Sequence, residues 1–104
     1  MIIVTTDSIA GKKITKTLGV VRGNTIRARH VGKDILAGLK NVFGGEIEEY
    51  TKLMAEAREQ ALDRMTSSAE EMGANAVINV RFTTSFIMGA ASEILAYGTA
   101  VVVE

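Results

Sequence analysis

Apolar residues recur in steps of three and four along the middle of the chain: Ile47, Tyr50, Met54, Ala57, Ala61, Met65, Ala69 and Met72. At 100° per residue they gather on one side of a helix, and Glu49, Lys52, Glu56, Asp63 and Glu70 fall opposite. The spacing predicts a helix over 46–72, about 40 Å long at 1.5 Å per residue, with Gly73 as its stop. A shorter helix is predicted over 34–43 from Ile35, Leu36, Leu39, Val42 and Phe43, with Gly44 as its cap.

Elsewhere the period is two. Residues 2–5 read as a short strand, and residues 7–13 as a turn around Gly11. Residues 14–25 read as a second strand, broken at Gly23-Asn24 and continued over 26–31. A third strand covers 75–86, with Ala76, Ile78, Val80, Phe82 and Phe86 on one face and Val77, Asn79, Arg81 and Thr83 on the other. Residues 87–92 form a loop of mostly small residues, and 93–103 return as the partner of an antiparallel hairpin. The pattern defines a single α+β domain over 1–104, a small antiparallel sheet packed against one long and one short helix.

The last strand adds a constraint. Ile94, Ala96, Gly98, Ala100 and Val102 share one face; Leu95, Tyr97, Thr99, Val101 and Val103 share the other. Both faces are largely apolar, as in a strand covered on both sides. Two helices cover one side only, so the expected cover for the other is a second copy of the chain. The alternative is cover by residues 1–13. Tyr97 and Val101 are therefore candidate interface residues. Arg58, Arg81 and Glu93 join them, because half-buried charges need partners. Arg81 with Glu93, or Arg58 with a carboxylate of another copy, would make structural ion pairs.

Charge sharpens this picture. The 12 basic and 12 acidic side chains give a formal net charge of zero. The long helix holds eight acids against three bases, a net −5, while residues 1–45 hold eight bases against two acids, a net +6. The basic segment 22–33, with Arg22, Arg27, Arg29 and Lys33, is the candidate for anion or nucleic-acid binding. Solubility and complementarity between subunits explain the division more simply, and nucleic acid is not the expected partner.

The chemistry on offer is sparse. There is no Cys, which excludes disulfides, thiolate metal sites and a cysteine nucleophile. His30 is the one imidazole and the one candidate metal ligand, and Arg27, Arg29 and Lys33 around it repel a cation. Phosphate-binding loops of the GxGxxG or P-loop type and the GxSxG nucleophile elbow do not occur. No cofactor and no enzymatic activity are expected. No stretch has the length and apolarity of a signal segment or a membrane span, and the expected location is the cytoplasm.

Several short pieces carry a resemblance when taken in order. They are Thr5-Thr6; Leu18-Gly19 with Val21-Arg22-Gly23; Gly44-Gly45-Glu46 with Tyr50; Ala57-Arg58-Glu59 with Ala61 and Arg64-Met65; Gly73-Ala74-Asn75-Ala76-Val77; Arg81-Phe82; and Ala96-Tyr97-Gly98-Thr99-Ala100-Val101. Together, over almost the whole chain, they resemble the YbjQ-like family of small bacterial and archaeal proteins. The resemblance implies a fold similar to dodecin subunits, with extra short strands that help assemble pentameric rings. It implies no catalytic residues. The family is often labelled heavy-metal-binding, which sits poorly with a chain of one His and no Cys. Asn79 stands where the family usually has a small residue, most often Gly, so the strand packing is expected to differ there.

Overall fold

The computed structural model describes residues 1–28, 45–88 and 91–104, with side chains throughout except at 28, 45–50, 87 and 88. The helix expected over 34–43, its Gly44 cap and His30 lie outside the described residues. The elements are β1 (Ile2–Ile3), β2 (Ile14–Ala28), α1 (Gly45–Glu71), β3 (Ala76–Met88) and β4 (Ala91–Val103). They form an α+β fold: one helix on a four-stranded sheet of order β1-β3-β4-β2. β1 runs parallel to β3, and the other pairs are antiparallel.

The helix obeys its periodicity. Ala57, Ala61, Met65 and Ala69 are fully buried against Val21, Val77, Val80, Ile94, Ala96 and Ala100. Met72, assigned to the same stripe, is 40% exposed because the helix has already ended. Gly73 takes φ +88°. Its N–H bonds the Glu70 carbonyl at 3.0 Å, and the Ala74 N–H bonds that of Ala69 at 3.0 Å. These two bonds are the Schellman closure of a helix C-terminus.

Small residues set how closely the layers approach. A Cβ on Gly23 would strike the Met65 nitrogen and the Ala61 carbonyl oxygen, and would lie 2.8 Å from the Arg64 carbonyl carbon. Gly23 therefore lets the helix backbone rest on β2. That corrects the break expected at Gly23-Asn24: both residues pair with β4, opposite Ala96 and Leu95. The hairpin loop is also shorter than the expected 87–92, since β3 runs to Met88 and β4 begins at Ala91. At about 3.3 Å per residue a 15-residue strand spans roughly 50 Å, so the molecule is long and thin, 54 × 23 × 16 Å.

The alternation in β3 breaks at Asn79. Its φ is +54°, and the register with β4 shifts between Ile78 and Arg81. The irregularity moves Val80 from the face of Ile78, where strict alternation put it, to the helix face beside Val77. Gly enters this region freely, and Asn is among the few side chains that tolerate it. Asn79→Gly is thus expected to be neutral or stabilising by up to about 1 kcal/mol, and Asn79→Val to cost about 1–3 kcal/mol. Urea denaturation of both variants checks this. Equal losses would show that the Asn79 side chain, not its backbone, holds the bulge.

A second core lies on the far side of the sheet. Ala76, Ile78, Val101 and Val103 are buried there, with Ile2, Val4, Ile9 and Ile14 packed against them. The N-terminal segment is pinned by backbone bonds from Val4 N–H to Val77 O (3.0 Å), Val80 N–H to Val4 O (3.1 Å) and Asn79 N–H to Thr6 O (2.9 Å). Val101 is therefore covered by its own chain, not by a neighbour, and leaves the set of interface candidates. The apolar pattern of β4 showed that a cover was needed; it did not say which segment supplied it.

Candidate functional site

The N-terminal segment covers only one end of the outer face. Beyond it no described residue covers the sheet, and pairing sets the order of its side chains. One row holds Val20 and Thr99, the next Arg22, Tyr97 and Arg81, the next Asn24, Leu95 and Thr83, and the last Ile26, Glu93 and Ser85. Val20 is 75%, Ile26 57% and Tyr97 39% exposed. Arg22 and Arg81 are exposed as well.

The charges on this face are placed differently from the expected ion pairs. Arg81 donates through Nη1 to the carbonyl oxygens of Thr5 and Val80, both at 2.9 Å, rather than to Glu93. Register explains this: Glu93 sits opposite Ser85 and Ile26, two rows away, and accepts a bond from Asn24 Nδ2 at 3.1 Å. Arg64, on the helix, donates to the Asn24 carbonyl at 2.6 Å and ties α1 to β2. Arg58 is exposed on the helix.

Among the described residues, part of the helix side is uncovered as well. α1 lies over β2 and β4 and scarcely reaches β3. Phe82 and Phe86, paired with Ala96 and Ser92, share the helix face yet are 44% and 80% exposed. From Arg81 onward β3 has no strand on its other side among the described residues. An aromatic strip beside a free strand edge is the kind of surface that another chain covers.

Within the basic segment 22–33, Arg22 and Arg27 do not share a face. Arg22 faces outward, whereas Arg27, opposite Ser92, is half-buried on the helix face; Arg29 and Lys33 lie outside the described residues. Arg22 instead joins Arg81, far away in the sequence, on either side of Tyr97. That row could not be read from the sequence, because the bulge at Asn79 sets which residue of β3 meets Tyr97.

Metal chemistry finds little support in these residues. Among the described residues no group of three or more His, Asp and Glu side chains could hold an ion. The sequence has no thiolate, the donor that soft heavy metals favour. Among the described residues, no helix is long and apolar enough to cross a membrane.

A long helix on a mixed four-stranded sheet, with Gly23, Ala57, Ala61 and Ala69 at the helix–sheet contact, defines a small α+β domain. Over residues 1–104 the chain matches the family YbjQ_1, described as "Putative heavy-metal-binding", and it belongs to that family. It is 65% identical over 101 residues to a UPF0145 protein of Methanosarcina acetivorans, covering 97% of this chain and 95% of that one. It is 62% identical over 104 residues to a UPF0145 protein of Dehalococcoides mccartyi, with both chains covered fully. Neither name denotes an enzyme. Its fold is similar to that of a protein of unknown function from the DUF74 family of Pediococcus pentosaceus, with TM-score 0.71 at 16% identity, covering 100% of this chain and 98% of that one.

Proposed function

We propose that this chain is a non-enzymatic homo-oligomeric module that builds a ring, with five copies the number favoured by its resemblance to the YbjQ-like family and by that family's likeness to dodecin subunits. The observation that carries assembly is the open part of β3. Phe82 and Phe86 stand exposed on the helix side, beside a strand edge that no described strand covers. Burying a large aromatic side chain contributes roughly 1.5–3 kcal/mol, and a ring repeats that gain in every subunit. Arg58, exposed on the helix, remains a candidate for contacts between copies. A cytoplasmic location is part of this reading.

Light scattering is the test. The mass in solution is expected to be five times the 11.1 kDa of one chain. Phe86→Asp should bring it down toward one chain with the circular dichroism spectrum retained. A wild-type monomer at micromolar concentration would end the proposal, as would a Phe86→Asp variant that still assembles normally.

A further inference from the structure

We propose that the outer sheet face around Tyr97 binds single-stranded nucleic acid, stacking a base on the Tyr97 ring between the guanidinium groups of Arg22 and Arg81. This uses a different surface from the Phe82–Phe86 strip and does not depend on assembly. Three observations point the same way.

The first is register. Arg22 and Arg81 are the direct cross-strand neighbours of Tyr97, so one aromatic residue stands between two basic residues whose backbones lie about 10 Å apart across three strands. The second is charge. Glu93 is the one acid among the four outward rows, and it lies two rows away, engaged by Asn24. Arg81 is held by two neutral carbonyls, which fix its position without cancelling its charge. A fixed cation beside an exposed ring suits a phosphate next to a base. The third is spacing. Successive rows on one face lie about 6.7 Å apart, close to the step of an extended nucleotide chain. The rows flanking Tyr97 carry Thr99 on one side and Asn24 and Thr83 on the other, which can bond sugar, phosphate or base edges. An exposed ring of this kind suits a single strand rather than a duplex, whose bases are already stacked.

The test is fluorescence anisotropy at low salt with a labelled oligothymidylate about 20 nucleotides long, enough to cover a typical single-strand site. Binding is expected, and it should weaken linearly in log–log terms as salt rises. Tyr97→Leu, which keeps the charge, should weaken it about five-fold or more, while Tyr97→Phe, which keeps the ring, should hold near wild type. Arg22→Gln should lower both the affinity and the salt slope. These side chains are exposed, and circular dichroism checks that each variant folds. Should Tyr97→Leu not fold, the Arg22→Gln slope and the comparison of single strand with duplex decide. No binding at low salt overturns the proposal. So does a duplex bound as tightly as the single strand, a Tyr97→Leu variant that folds and binds like wild type, or an Arg22→Gln variant with an unchanged salt slope.

Discussion

Gly23→Ala is expected to cost about 3 kcal/mol, an unusual loss for one added methyl group. The new Cβ meets backbone atoms of Ala61 and Met65, not the flexible end of a side chain. Backbone in mid-helix cannot step aside locally. Relief requires the whole of α1 to lift from β2, which loosens the Ala57, Ala61, Met65 and Ala69 contacts together. Lifting the helix also stretches the 2.6 Å bond from Arg64 to the Asn24 carbonyl. Thermal or urea unfolding measures the loss. A change below about 0.5 kcal/mol would mean that the helix rides higher on the sheet than described here. Gly98→Ala makes a useful comparison. Its Cβ would lie 2.8 Å from both the Ile78 carbonyl oxygen and the Val77 side chain, so one of the two obstacles can give.

The second large effect is at Val101, fully buried in the core that Ile2, Val4, Ile9 and Ile14 cover. Val101→Asp places an unpartnered carboxylate in that core and should cost 4 kcal/mol or more, about enough to unfold a marginally stable small domain. Val101→Ala should cost about 2 kcal/mol. The mechanism is distinguishable from a lost subunit contact. Because the cover belongs to the same chain, the effect of Val101→Ala on unfolding should not change with protein concentration. A strongly concentration-dependent loss would show that a neighbour, not the N-terminal segment, packs on this core.

The helix and most strand positions were legible because a single period governs each. The stripe from Ala57 to Ala69 and the stop at Gly73 followed from spacing alone. The sheet was legible only where its period was unbroken. One residue in a left-handed conformation, Asn79, moved Val80 to the other face and reset the partner of every later residue in β3. The sequence flagged Asn79 as unusual only through the family resemblance. Gly23-Asn24 misled in the other direction: a pair that favours turns sits inside a straight strand, since Gly23 answers to the helix above it. Asn75 is similar. It lies just before β3, and its side-chain amide exchanges two bonds with the Val103 backbone, at 2.8 and 2.9 Å, extending the ladder where β3 has not yet begun. The open outer row of Arg22, Tyr97 and Arg81 depends on pairing across three strands, which no local pattern encodes.

The way the ends of the sheet are tied together bears on how the protein is made. Lys13 and Glu104 exchange backbone bonds at 2.9 Å in both directions, and residues 2–6 are held by residues 75–80. Residues 2–13 therefore have nothing to dock on until residues 75–104 have been made. At about 5–20 residues per second, the delay is on the order of 5–20 s. Throughout that interval Ile2, Val4, Ile9 and Ile14 lack Val101 and Val103, against which they later pack. Topology of this kind, rich in distant pairings, folds slowly and exposes sticky intermediates. Nascent chains should accordingly depend on holding chaperones, and synthesis of β4, which brings Val101 and Val103, should set the moment at which the second core closes.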